Sequence, residues 1–330
     1  MKLLDVDNAY AFCESACRTS STTFYSSFSA LQINKRRAVH AVYALCRWVD
    51  DIVDGDEEPS IIETRSLREA TRERQLILDT LHPELSPTLP EEEHRHRLMA
   101  LVDIRLKLTA AFEQRITADE HPIFIALQDV FARYNIKLTD FETVLEGMED
   151  DLYPVENASW DELRSYCYKV ASAVGLILIE IYGYEDRSAR LHAIDLGIQM
   201  QLINVLRDIN EDMERGRIYL PLDILHSHNL NIEDLRNPEI AKSIAWKSFI
   251  SEYVAMIKRH QESANHLFGY LDVRARVQPE IMADAYSSIL NEIVRRSGDV
   301  FTQPVRLSSW RKLLLGLRLN LRKARAKLRL

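Results

Sequence analysis

A chain of 330 residues is long enough to bury a sizeable core, and its 42 Lys/Arg against 50 Asp/Glu give a formal charge of −8. Only 9 Gly and 10 Pro punctuate it, which argues against a turn-rich β protein and for helices nearly throughout. The charge is uneven: residues 305–330 hold nine Lys/Arg and no Asp/Glu, so residues 1–304 carry a net −17, an acidic body that excludes a nucleic-acid partner and a basic tail suited to anionic lipid.

In chain order, residues 5–18 read as a first helix, followed by a hydroxyl-rich hinge at Ser20, Ser21, Thr22 and Thr23. The next helix starts near Lys35, carries apolar Val39, Val42, Leu45, Trp48 and Val49, and stops around Gly55. Residues 61–81 read as an exposed amphipathic helix. His82 to Arg97, with three prolines and a charge run, reads as a surface loop in which His94 and His96 are solvated rather than metal ligands. Helices are expected over 97–117, 122–134, 139–150, 160–182, 187–215, 239–270 and 278–297, joined by turns such as Tyr153-Pro154 and by a longer segment over 216–238. No period-2 strand pattern, solenoid repeat or composition shift interrupts them. The expectation is an all-α fold: one helical domain over 1–304 and a basic amphipathic helix over 305–330.

Cys13, Cys17, Cys46 and Cys167 form no CxxC pair and sit in apolar helical stretches, so they read as reduced core residues of a cytosolic protein. The N-terminal residues lack a signal-peptide apolar run, and no window reaches the ~18 uncharged apolar residues of a membrane span. The expected location is the cytoplasm, peripherally on the inner face of the membrane.

Two helices carry unusual polar stripes. Asp50 and Asp54 lie one helical turn apart with Arg47 about one turn before them. Gln201, Asn204, Asp208 and Asp212 recur at spacings of three and four beside apolar Leu202, Ile203, Val205, Leu206 and Ile209. Carboxylates at such spacings repel unless neutralised, and a magnesium ion held by one or two of them together with substrate phosphates would do so. A single such cluster is equally well read as a solvated helix end; two on Arg-containing apolar helices are not.

These segments resemble the two aspartate-rich motifs of the squalene and phytoene synthase family. The likeness extends to Tyr43 through Arg47, Gln201 through Arg207, Arg215 through Pro221, Ser21 and Phe24, and Tyr166 through Gly175, spanning about residues 10–300. The resemblance implies a single-domain isoprenoid-synthase helical bundle with a central cavity, in which Asp50, Asp54, Asp208 and Asp212 hold Mg²⁺, with Mn²⁺ as a substitute. It further implies that Ser21, Arg47, Arg207, Arg217 and Tyr286 contact diphosphate, that Gln201 and Asn204 line the reaction zone, and that Tyr166 stands beside the carbocation. Tyr168 competes for that last role, Ser21 reads equally as a helix N-cap, and Arg215 and Arg217 as surface ion partners of Glu211 and Glu214.

The activity implied is head-to-head condensation of two prenyl diphosphates. Phytoene from geranylgeranyl diphosphate comes first; squalene, dehydrosqualene or presqualene diphosphate from farnesyl diphosphate is the alternative. NADPH is not expected for phytoene and becomes an option only if the product is squalene. A head-to-tail elongase fits less well, since Gly55 to Glu58 supplies no Arg pair, and a non-catalytic helical scaffold has no use for two carboxylate stripes. In the tail, Leu307, Trp310, Leu314, Leu317, Leu321, Ala324 and Leu328 recur at three- and four-residue spacing, predicting a helix lying in a membrane interface, with docking on the acidic body as the alternative.

Overall fold

With so few glycines and prolines, apolar stripes at helical spacing run from cap to cap. The computed structural model, which describes residues 3–20, 22–58, 60–83, 85–87, 89–156 and 159–328, is correspondingly built of α-helices. Its contacts group into two compact units, residues 1–25 with 33–154, and residues 26–32 with 155–330.

The first unit contains α1 (Leu3–Ser20), α3 (Ile33–Asp54), α4 (Arg65–Leu81), α5 (Glu91–Phe112), α6 (Pro122–Arg133) and α7 (Leu138–Asp150), while α2 (Thr22–Phe28) occupies part of the expected hydroxyl-rich hinge. Helix α1 packs on α3 and α6. Cys13 and Cys17 are fully buried there as free thiols, and burial pushes the Cys13 thiol up to about 12. Helix starts follow capping chemistry: the Thr64 hydroxyl accepts from the Leu67 amide at 3.1 Å, and Pro122 opens α6.

The stretch before Arg97 departs from expectation. Helix α5 begins at Glu91, its first turn carrying three glutamates that favour the positive end of the helix dipole. His94 is therefore a buried residue rather than a solvated one: its Nε2 lies 3.0 Å from Gln75 Oε1, its ring packs edge-on to Tyr153, and burial lowers its pKa. His96 stays exposed.

The second unit contains α8 (Trp160–Cys167), a π turn over Tyr168–Ser172, α9 (Ala173–Tyr182), α10 (Ala189–Arg207), α11 (Ile209–Glu214), α12 (Leu222–Ser227), α13 (Ile244–Ala264), α14 (Leu267–Tyr270), α15 (Val277–Arg295) and α16 (Ser309–Leu328). Strands β1 (Val155–Glu156) and β2 (Arg217–Ile218) form a two-residue parallel ladder pairing Val155 with Arg217. Helix α10 packs against α9, the π turn, α13 and α15. Gly197 makes this approach feasible, since a Cβ there would lie 2.6 Å from Ser172 Cα; the Ser172 hydroxyl donates to the Ile194 carbonyl at 2.8 Å. Trp160–Tyr182 is long and apolar enough to cross a membrane by length and composition, yet Leu163, Cys167, Ile177 and Ile181 within it are core residues.

Helix α16 docks on α15. Leu319 and Ala326 join Val277 and Ile281 in one apolar cluster, and Arg311, Arg318 and Arg322 pair with Glu292, Asp284 and Glu280.

One buried ion cluster ties α4, α5 and α7 together. Glu149 is fully buried, accepts from Arg74 Nε at 3.0 Å and lies 3.0 Å from Arg105 Nη2. Both guanidiniums are mostly buried as well, so loss of the carboxylate strands two cations in a low-dielectric site. Glu149→Ala is expected to lower unfolding free energy by about 3 kcal/mol in urea denaturation, and Glu149→Gln by less because it keeps acceptor oxygen in place.

Candidate active site

In α3 the apolar face, with Val49, Ile52 and Val53 buried, leaves Asp50, Asp51 and Asp54 partly exposed near the helix end. Arg47 offsets part of the charge at this end, pairing with Asp50 Oδ2 at 2.9 Å and with Asp51. Sequence reasoning singled out Asp50 and Asp54 and passed over Asp51, which is the less exposed partner of Arg47. Burial raises the Asp51 pKa, and Arg47 acts against that rise.

The helix stops at Gly55, whose φ of +80° suits glycine, and the amides of Asp56 and Glu57 return to the Asp51 carbonyl at 2.8 and 3.1 Å. Arg97 braces this turn. Its Nη1 donates to the Val53 carbonyl at 2.5 Å, it pairs with Glu93, and a Cβ on Gly55 would strike its guanidinium. Sequence reasoning read Arg97 as the end of a solvated charge run, and no local signal in that run distinguishes it.

The second motif is built differently from a straight stripe. Helix α10 ends at Arg207, Asp208 stands between helices with φ −103° and ψ 13°, and α11 begins at Ile209, so the expected continuous helix over 187–215 is broken inside the motif. The Asp212 amide still donates to the Asp208 carbonyl at 2.9 Å, which keeps one helical turn between the two residues. Asp208 receives a two-pronged contact from its own neighbour, Arg207 Nε to Oδ1 at 2.7 Å and Nη2 to Oδ2 at 2.5 Å. Burial works against the Arg207 charge, and the bond to Asp208 overrides it.

Around this pair, Asn204 Nδ2 donates to Gln201 Oε1 at 3.1 Å. Tyr286 reaches the same place from α15, buried and interacting with Asn204, Arg207 and Asp208; burial pushes its hydroxyl pKa up, while Arg207 and Asn204 pull against that. Asp212, Arg217 and Tyr219 line one small cavity, with Arg217 and Tyr219 buried. Arg215 instead lies 3.6 Å from Glu211 as a surface pair.

The two tyrosine candidates separate cleanly. Tyr166 is buried and stacks on Tyr219, ring centroids 4.6 Å apart with an interplanar angle of 24°, whereas Tyr168 is exposed at the start of the π turn. Tyr219 was legible only as part of a motif and had no role attached to it. Ser21 lies outside the described residues.

Among the described residues no three His, Cys, Asp or Glu side chains converge into a preformed metal cluster. What each unit offers is partly exposed aspartates one turn apart with an arginine alongside. That oxygen donor set fits a hard divalent cation such as Mg²⁺, which binds one or two carboxylates and completes its shell with phosphate oxygens and water.

Comparison with known proteins agrees with this geometry. A dehydrosqualene synthase crystal structure superposes with a TM-score of 0.75 at 24% identity, covering 96% of this chain and 97% of that one. A squalene synthase from Alicyclobacillus acidocaldarius gives 0.72 at 21%, covering 90% and 97%. Both share the all-α isoprenoid-synthase fold. In sequence, the 15-cis-phytoene synthase of Synechococcus elongatus is 29% identical over 94% of this chain and 92% of its own, and the phytoene synthase of Arthrospira platensis 28% over 93% and 91%. The squalene/phytoene synthase family pattern matches residues 17–311, and the chain belongs to that family. It is thus an enzyme of the prenyltransferase type, in the class that condenses prenyl groups head to head.

The stacked pair gives a direct check. Tyr166→Leu removes one ring of the stack and is expected to cost about 1–2 kcal/mol in denaturant unfolding, while Tyr168→Leu stays within about 0.5 kcal/mol.

Proposed function

We propose that this enzyme condenses two geranylgeranyl diphosphates, by way of a cyclopropylcarbinyl diphosphate, into phytoene, with loss of two diphosphates and two protons. The observation that carries the reading is the pairing of each aspartate motif with its own arginine, Arg47 with Asp50 and Asp51, Arg207 with Asp208. The phytoene synthases aligned over more than nine-tenths of this chain support the choice of product.

Asp50 and Asp54 in the first unit, and Asp208 and Asp212 in the second, would hold Mg²⁺, or Mn²⁺ in its place. Bound there, the metal would supply positive charge to the departing diphosphate oxygens. Arg47 and Arg207 are already aimed at anions, so an arriving diphosphate exchanges one oxyanion partner for another. Arg217 adds a third cation, and Ser21 a hydroxyl donor. Tyr286, whose hydroxyl keeps its proton through the neutral range, serves as a neutral donor to phosphate oxygen. Gln201 and Asn204 hold one another and present amides to the reacting carbons. Tyr166, fixed by Tyr219, offers a ring face to passing carbocations, an attraction of about 1–2 kcal/mol when desolvated.

The reaction as written is redox-neutral and uses no NADPH; a squalene product would require a hydride. The same residues serve two farnesyl diphosphates if a shorter prenyl chain is the substrate, giving presqualene diphosphate, dehydrosqualene or squalene.

Mass spectrometry of products from purified enzyme, Mg²⁺ and either geranylgeranyl or farnesyl diphosphate, with and without NADPH, distinguishes these. A C40 triene from the C20 substrate alone is the expected result, and a C30 product would move the assignment to farnesyl diphosphate. Absence of any hydrocarbon or cyclopropyl diphosphate would overturn head-to-head chemistry for this chain. Asp50→Ala and Asp212→Ala are each expected to lower kcat/KM by on the order of a thousandfold, the effect of several kcal/mol of lost charge stabilisation.

A further inference from the structure

Helix α16 has two apolar faces, and α15 covers only one of them. Leu315, Leu319 and Ala326 are buried, and the arginines flanking them, Arg311, Arg318 and Arg322, reach Glu292, Asp284 and Glu280 of α15. On the opposite side Trp310, Leu313, Leu317, Leu321 and Leu328 form an unbroken outward ridge; Trp310 is 64% exposed, Leu317 51% and Leu321 60%. A ridge of this length along a twenty-residue helix, roughly 30 Å, is far more than the scattered single apolar residues of an ordinary surface.

Charge identifies what covers it. Residues 305–330 contain no acidic side chain. Among the described residues Lys312, Arg325 and Lys327 pair with no carboxylate, and by helical spacing they lie on the shoulders between the docked face and the outward ridge. An apolar ridge bordered by cations and begun by a tryptophan is the profile of a helix lying in a lipid interface, acyl chains below and phosphates beside it. A second copy of the chain would bring two tails of like charge together within one Debye length, about 8–10 Å, which disfavours a helix-to-helix dimer through the same ridge.

We infer that α16 is an interfacial membrane helix that docks on α15 by its Leu315, Leu319 and Ala326 face and seats Trp310, Leu313, Leu317, Leu321 and Leu328 in an anionic bilayer. The arginine pairs to α15 hold the helix flat against its own unit, so the bilayer is met by a rigid ridge rather than by a tethered tail. This inference does not depend on which prenyl diphosphate is the substrate.

The test is flotation of the full-length protein with phosphatidylcholine vesicles containing roughly 30% phosphatidylglycerol, against pure phosphatidylcholine vesicles, at low and high salt, with sedimentation velocity in parallel. The chain is expected to float with the anionic vesicles at low salt and to release as salt rises. Leu317→Glu combined with Leu321→Glu, both at exposed positions, is expected to weaken partitioning about tenfold or more while leaving the melting curve and the turnover of detergent-dispersed substrate unchanged. Lys312→Glu with Arg325→Glu and Lys327→Glu is expected to abolish the preference for anionic vesicles. Failure of the wild-type chain to float at low salt, or equal flotation of the Leu317→Glu/Leu321→Glu variant, overturns the inference. A dimer that this variant dissociates, with no vesicle binding, would assign the ridge to a second copy instead.

Discussion

Carboxylates set one helical turn apart repel each other, and everything near the two aspartate motifs answers to that constraint. Each motif carries its own arginine, which balances only part of that charge: one guanidinium stands beside Asp50, Asp51 and Asp54, and one beside Asp208 and Asp212. The balance is deliberately weak at Asp50, where both partners are about two-fifths exposed and such a pair is worth no more than about 1 kcal/mol. A pair this weak can be exchanged for another ionic partner at little cost. Glu149 shows the opposite use of the same chemistry: a carboxylate with no exposure, held by Arg74 and Arg105, is fixed in place and serves as a structural rivet.

Much of this was legible in the sequence because helical periodicity is a strong signal and glycine and proline are scarce. Helices α3, α4, α6, α7 and α15 begin and end within a few residues of their expected bounds. The failures have local causes. The segment before Arg97 looked solvated because its charges dominate, yet three glutamates at a helix start are what a helix dipole favours, and His94 turns inward on that helix. The stripe through Asp208 looked continuous because spacing cannot register a break in which the backbone hydrogen bond from Asp212 survives. Tyr166 and Tyr168 sit two residues apart and could not be ranked without knowing which meets Tyr219.

The tail illustrates a different limit. Its leucines recur so densely that more than one apolar face can be drawn through them, and the spacing picked out the ridge that faces outward rather than the face that packs. What selects the packed face lies elsewhere in the chain, in the acidic row Glu280, Asp284 and Glu292 along α15, which fixes the rotation of α16 through Arg322, Arg318 and Arg311. Of the two expectations for the tail, docking on acidic side chains is the one the arginine pairs to α15 bear out, while the membrane interface is our proposal for the outward ridge.

The π turn over Tyr168–Ser172 is an α-helical stretch that accommodates one extra residue. In an ordinary helix one residue corresponds to about 100° of rotation and 1.5 Å of rise. Tyr166 lies on one side of that turn, and on the other side the chain is pinned by the contact of Ser172 with Gly197. Wound as an ordinary α-helix, the same residues would turn the Tyr166 ring more than a quarter turn away from Tyr219; the wide turn absorbs that rotation without altering the chemistry of any side chain involved. The width of this one turn is consequently as much a specification of the site as the identities of its residues, since it sets which way Tyr166 faces relative to the face of the chain held against Gly197.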